Sequence, residues 1–184
     1  YEAVELSGVQ RKYLSKKFNI KTYKEIDDAP KNSFDVVIII SVLEHVTDPI
    51  NFLKNLKVLL KKRGRIIIEC PSINDPLVQL YGNQSYKNFY YRPVHINYFN
   101  KTHLKKIVKF SNLKLIKTFS VLVYSITNHL GWHFNNKGSS DSEGATNIKF
   151  KHLKKQNLLQ KIFSKINDVY FHELSKQDYA DMEI

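Results

Sequence analysis

The chain has 184 residues, 42% hydrophobic and 25% charged, which suits one compact domain with a real core and excludes wholesale disorder. The net charge of +12 points at first to a polyanion, but only Arg11, Arg63, Arg65 and Arg92 are arginines among 29 basic residues, so no specific nucleic-acid partner is expected. A single cysteine, Cys70, excludes an internal disulfide, and the longest apolar run, Val36 to Leu43, is far short of the roughly 20 residues of a membrane span, so a cytoplasmic setting is expected.

Tyr1 to Leu6 alternates and predicts a strand. Gly8 to Phe18 sets Val9, Tyr13, Leu14 and Phe18 among basic residues, as an amphipathic helix does. Ile20 to Glu25 reads as a short strand and Asp27 to Ser33 as a turn-rich connection. Phe34 to Ile40 is almost purely β-branched, the pattern of a central parallel strand buried on both faces. A helix is predicted from Ile50 to Leu60, led by Pro49 and stopped by Gly64, with Leu53, Leu56, Leu59 and Leu60 inward. Arg65 to Cys70 is the next buried strand. Strands alternating with helices of this length imply right-handed crossovers and an α/β fold with a doubly wound, mostly parallel sheet.

The second half is less regular. Asp75 to Tyr91 holds Leu77, Leu80, Tyr81, Tyr86, Phe89, Tyr90 and Tyr91, too apolar for a simple surface loop. Asn100 suits the cap of a helix striped by Leu104, Ile107 and Val108. Leu113 to Tyr124 alternates as a long strand, and 135–147 is polar and glycine-bearing, as a mobile loop is. Ile148 to Ile166 reads as a basic helix without acidic residues, and Tyr179 to Ile184 as a final antiparallel edge strand.

Phe34-Asp35-Val36-Val37, then Val42-Leu43-Glu44-His45-Val46, Asp48-Pro49 and Gly64-Arg65-Ile66-Ile67-Ile68-Glu69, resembles the middle of class I S-adenosylmethionine-dependent methyltransferases. Pro93-Val94-His95-Ile96-Asn97-Tyr98-Phe99 is similar to the substrate side of the branch acting on sugars and other small metabolites. Asn128-His129-Leu130-Gly131-Trp132 and the closing Ala180-Asp181 are similar to bacterial relatives of surface-polysaccharide pathways. The resemblance implies a Rossmann-like single domain over 1–184, with a cofactor-side half over 1–72 and a substrate-side half over 73–184. It also implies the cofactor S-adenosyl-L-methionine and a small-molecule or sugar substrate, with the oligomeric state open.

The family holds the methionine end of its cofactor on a glycine-rich turn after its first strand. The six glycines here, at 8, 64, 82, 131, 138 and 144, form no G-x-G, so the chain is expected to begin after that strand and loop. In the pattern that remains, Glu5, with Leu6 beside it, falls where an acid accepts bonds from the ribose hydroxyls. Glu25 and Ile26 fall beside the adenine, and Ser41 and Val42 at the level of the transferred methyl group. His45 and His95 are the catalytic candidates, because a neutral imidazole can take a hydroxyl proton near neutrality. A satisfied core histidine is an alternative for His95. Tyr98, Asn128 and His129 are substrate-binding candidates. No metal is expected: Ser41 offers no acid at the head of its block, and His103, His133, His152 and His172 have no ligand spacing.

The expected reaction is methyl transfer to a hydroxyl of a sugar or related metabolite. Two rivals stand beside it. One is a catalytically inactive methyltransferase-like scaffold, suggested by the missing glycine loop. The other is an RNA-associated basic protein, suggested by the lysine-rich C-terminal helix.

Overall fold

A computed structural model describes residues 1–121, 124–138, 156–176 and 181–183. Strand β1 (Glu2–Val4) pairs in parallel with β2 (Lys21–Tyr23), Glu2 opposite Lys21, and helix α1 (Gly8–Phe18) joins them. The Ser7 side chain caps α1 by accepting from the Gln10 N–H at 3.4 Å, and Asn19 closes it at φ 52°. Contrary to the amphipathic reading, α1 buries no residue, and Val9, Tyr13 and Phe18 are exposed.

The second sheet runs β3-β4-β6-β5. Strands β3 (Phe34–Ile40) and β4 (Leu60–Cys70) are parallel, with Val36 opposite Arg65 and Ile40 opposite Glu69. The crossover helix α2 (Pro49–Leu59) starts on Asp48, whose carboxylate accepts the Asn51 N–H at 3.0 Å, and buries Leu53, Leu56 and Leu59. It passes straight into β4 at Leu60, so Gly64 is not its stop. Gly64 lies inside the strand, where a Cβ would meet Leu60 Cβ at 3.0 Å.

Among the described residues, only one face of β3 is covered. Val37 and Ile39 pack toward α2, while Val36, Ile38 and Ile40, with Ile67 opposite Ile38, are exposed, correcting the two-sided reading. Helix α5 (Lys101–Phe110) is capped by Asn100, which accepts from the His103 N–H at 2.8 Å, and adds Leu104 and Val108 to the core.

The aromatic stretch folds as α3 (Pro76–Gln79) and α4 (Gln84–Tyr90) around a second apolar cluster of Leu77, Val78 and Tyr86, with Tyr81, Tyr90 and Trp132 against it. The long strand expected over Leu113 to Tyr124 shrinks to β5 (Phe119–Val121). Upstream, the Leu113 N–H donates to Val108 O at 3.1 Å and Leu115 packs on the main core, so helix closure and burial outcompete strand pairing.

Helix α6 (Ile126–Asn135) runs to the start of the expected loop, of which 139–147 lies outside the described residues. So does 148–155 of the expected basic helix; its described part, α7 (Gln156–Lys176), continues past Ile166. The final strand β6 (Asp181–Glu183) is antiparallel to both β4 and β5. It is therefore internal, and the edges of this sheet are β5 and β3, the strand expected to be central. No described helix is long and apolar enough to cross a membrane.

Candidate active site

Ligands of open α/β sheets bind beyond the carboxyl ends of parallel strands. At the end of β3, Ser41 turns the chain at φ 52° while its N–H donates to Glu69 O at 3.1 Å. A single 3-10 turn, Leu43–His45, follows, anchored by fully buried Leu43. That turn buries Glu44 to 1% exposure and leaves His45 at the surface.

The segment from Arg92 to Phe99 closes over this turn. The Asn97 N–H donates to Glu44 O at 3.1 Å, and the Asn97 side-chain amide donates to Val46 O at 2.7 Å. His45 Nδ1 lies 2.7 Å from Val94 O. These bonds bring His95 to His45 edge to face, with ring centroids 4.8 Å apart.

The hydrogen-bond partners fix both tautomers. A carbonyl only accepts, so His45 Nδ1 carries the proton toward Val94. The one hydroxyl hydrogen of Tyr98 goes to Tyr90 O at 2.6 Å, so Tyr98 Oη accepts from His95 Nδ1 at 3.2 Å. Each neutral ring therefore keeps its lone pair on Nε2. Burial, opposed by the Glu44 carboxylate, lowers the His95 pKa and so favours the neutral ring. Glu44 Oε1 stands 3.9 Å from His45 Nε2, beyond hydrogen-bond range, and its buried Oε2 has no partner among the described residues. One ligand atom from each of Glu44, His45 and His95 lies within 4.8 Å of the others, a set able to hold a cation.

The other sequence candidates are placed separately. Glu5 Oε1 accepts the Ser7 N–H at 2.7 Å, and Arg11 Nη1 donates to the carbonyls of Glu5 and Leu6 at 2.7 Å each, fixing the end of β1. Glu25 heads a 3-10 turn in a reciprocal cap with Asp28, and Ile26 packs on the main core. Ser41 and Val42 are exposed. An oriented carboxylate ends β1 and a turn ends β2, groups that could hold the ribose and adenine end of S-adenosylmethionine.

Tyr98 is a hub within its loop, accepting also from the Arg92 N–H at 3.1 Å, and burial raises its phenol pKa. Asn128 and His129 are buried in α6, away from open surface. His129 Nδ1 meets Tyr170 Oη of α7 at 2.7 Å, Tyr170 Oη meets Tyr81 Oη at 2.9 Å, and burial pushes His129 down to about 4. Asp75 lies alongside, capping α3 and accepting from Tyr86 Oη at 3.1 Å, and burial lifts its carboxyl to about 6. Sequence reasoning gave Asp75 and Asn97 no role of their own. The Asp-Pro of Asp75-Pro76 marks a helix start; nothing in spacing marks a long-range partner for Asn97.

A crossover between parallel strands, with titratable groups gathered just past one strand end, is the arrangement of the Rossmann-like class of α/β folds. Residues 1–118 match the family described as a methyltransferase domain, and the chain belongs to that family, whose cofactor is S-adenosylmethionine. A S-adenosylmethionine-dependent methyltransferase from Archaeoglobus fulgidus aligns over 98% of this chain and 72% of its own length, with TM-score 0.55 and 17% identity. One from Thermotoga maritima aligns over 65% of this chain and 58% of its own, with TM-score 0.52 and 21% identity. At these identities the likeness is one of fold. No curated protein matches the chain.

Proposed function

We propose that this protein transfers the methyl group of S-adenosylmethionine to a hydroxyl of a small metabolite, a sugar or a close relative. The observation that carries the reading is the pair of Nε2 lone pairs on His45 and His95 at the end of β3, inside the stretch matched to the methyltransferase family. Bound there, the cofactor supplies an electrophilic methyl on a sulfonium. The chain's own residues then align an acceptor and remove one proton, and alignment alone can supply several kcal/mol of such a barrier. His45 is the first choice as proton acceptor because it is exposed, and the tautomer set by Val94 O leaves its Nε2 free. His95, half-buried and tied to Tyr98, is the second. Glu5 would accept the ribose hydroxyls. The choice of a sugar, and of surface-polysaccharide synthesis as the setting, rests on the sequence resemblance of Pro93–Phe99 and Asn128–Trp132.

Transfer of a labelled methyl group to a panel of hydroxyl-bearing sugars tests this reading. His45→Asn should lower kcat by roughly 10²–10⁴ with S-adenosylhomocysteine affinity nearly intact. Glu5→Ala should weaken that affinity by about 1–3 kcal/mol, the loss of charge-assisted hydrogen bonds. Unchanged turnover in both histidine variants removes them from the chemistry.

A further inference from the structure

We propose that Glu44, His45 and His95 form a binding site for one divalent transition-metal ion of the zinc type, a property that does not rest on methyl transfer and that, with the ion bound, would take up the Nε2 lone pairs the proposed proton transfer uses. The first support is Glu44 itself. A carboxylate buried to 1% exposure ordinarily has its oxygens paired, because an unpartnered charge in the interior is costly. Here Oε2 has no partner among the described residues, and Oε1 faces His45 Nε2 at 3.9 Å. A proton shared between them would hold these atoms near 2.8 Å. Two lone-pair groups instead face each other across a gap.

The second support is how the histidines are held. Each spends its Nδ1 hydrogen on an oxygen of the protein, His45 on Val94 O at 2.7 Å and His95 on Tyr98 Oη at 3.2 Å. That outer bond fixes the tautomer and aims Nε2, the arrangement by which ligating imidazoles are oriented. Asn97 ties the loop carrying His95 to the turn carrying Glu44, so the three donors belong to one braced unit.

The donor set names the metal. Two imidazole nitrogens and one carboxylate suit zinc and its neighbours, whereas magnesium and calcium call for oxygen ligands. Tetrahedral bonds of about 2.0 Å place neighbouring ligand atoms about 3.3 Å apart. The 3.9 Å gap and the 4.8 Å outer limit of the cluster close to that with small side-chain movements. Exposed His45 gives an ion a way in, and three protein ligands leave a fourth position for water or an acceptor oxygen. The expectation of no metal considered Ser41 and the spacing of His103, His133, His152 and His172; the third ligand, His95, comes instead from a distant loop.

The test uses the whole chain stripped with a chelator, without S-adenosylmethionine. Calorimetric titration with Zn²⁺ should give one site, and Co²⁺ should develop the visible band of four- or five-coordination. Glu44→Gln and His95→Ala should each weaken binding at least tenfold, and His172→Ala should leave it unchanged. Should the buried-site variants fail to fold, exposed His45→Ala makes the same measurement. No binding by the wild type overturns the proposal, as does binding that survives His45→Ala and His95→Ala. S-adenosylhomocysteine binding is scored separately, so failure of the metal site and failure of the methyltransferase reading are distinct results.

Discussion

The backbone N–H of Asn97 donates to the carbonyl of Glu44 at 3.1 Å, so the most buried acid of the candidate site is clamped by a residue from the opposite loop. The Asn97 side-chain amide donates to Val46 O at 2.7 Å, which makes Asn97 a staple across the turn. Asn97→Ala keeps the backbone bond and removes the side-chain one. It should cost about 1–2 kcal/mol in chemical denaturation, since a carbonyl loses its donor. Metal affinity and turnover should fall with it, because His95 is carried by the same loop.

Leu53 of α2 and Leu104 of α5 are both fully buried where the two helices cover the inner face of the sheet. Leu53→Ala and Leu104→Ala should each destabilise by about 2–5 kcal/mol, read from the denaturation midpoint at unchanged m-value.

Gly64 sits in β4 with Leu60 Cβ and Lys61 O at 3.0 and 3.1 Å from where a Cβ would stand. Gly64→Ala should therefore destabilise by roughly 1–3 kcal/mol through overpacking, although alanine normally favours a strand over glycine. A gain in stability would mean that the register shift of β4 between Leu60, opposite Phe34, and Arg65, opposite Val36, relaxes freely.

Asp75 and His129 give opposite pH dependences. The fold lifts Asp75 from 3.8 to about 6, so its contribution is full below pH 3.8 and is lost as pH rises through about 6. The fold lowers His129 from 6.5 to about 4, so its contribution is full above pH 6.5 and is lost as pH falls through about 4. Between those limits the two slopes offset. Asp75→Asn should unmask the histidine: relative to wild type, the variant gains on the order of 3 kcal/mol between pH 4 and pH 7. Parallel stability curves for the two proteins would refute the assignment.

The regular α/β half was legible because its signals are local. The β-branched run of β3, the Asp48-Pro49 start of α2 and the Asn100 cap of α5 each write their element within a few residues. The errors arise where tertiary contacts decide. Leu113 and Leu115 alternate like a strand but are drawn onto the core, and β6 enters between β4 and β5, an order that no local pattern encodes. At the site, Glu44 and His45 stand out by type. The tautomers that aim the imidazoles depend on Val94 and Tyr98, partners visible only once the two loops meet.

The uncovered ribbon of Val36, Ile38 and Ile40, 45%, 60% and 55% exposed, belongs to a chain of net charge +12. Those properties oppose each other in solution. Like-charged copies repel over a screening distance of about 10 Å at 0.1 M salt but only about 3 Å at 1 M. Contact between ribbons depends on apolar area, which salt does not weaken and sulfate strengthens. The protein's colloidal behaviour should therefore run opposite to that of a polyanion binder freed by salt: dispersed in dilute buffer, and self-associating as ionic strength rises. Light scattering across a salt series would display this, and Ile38→Lys, adding one charge in the middle of the ribbon, should move the onset to higher salt.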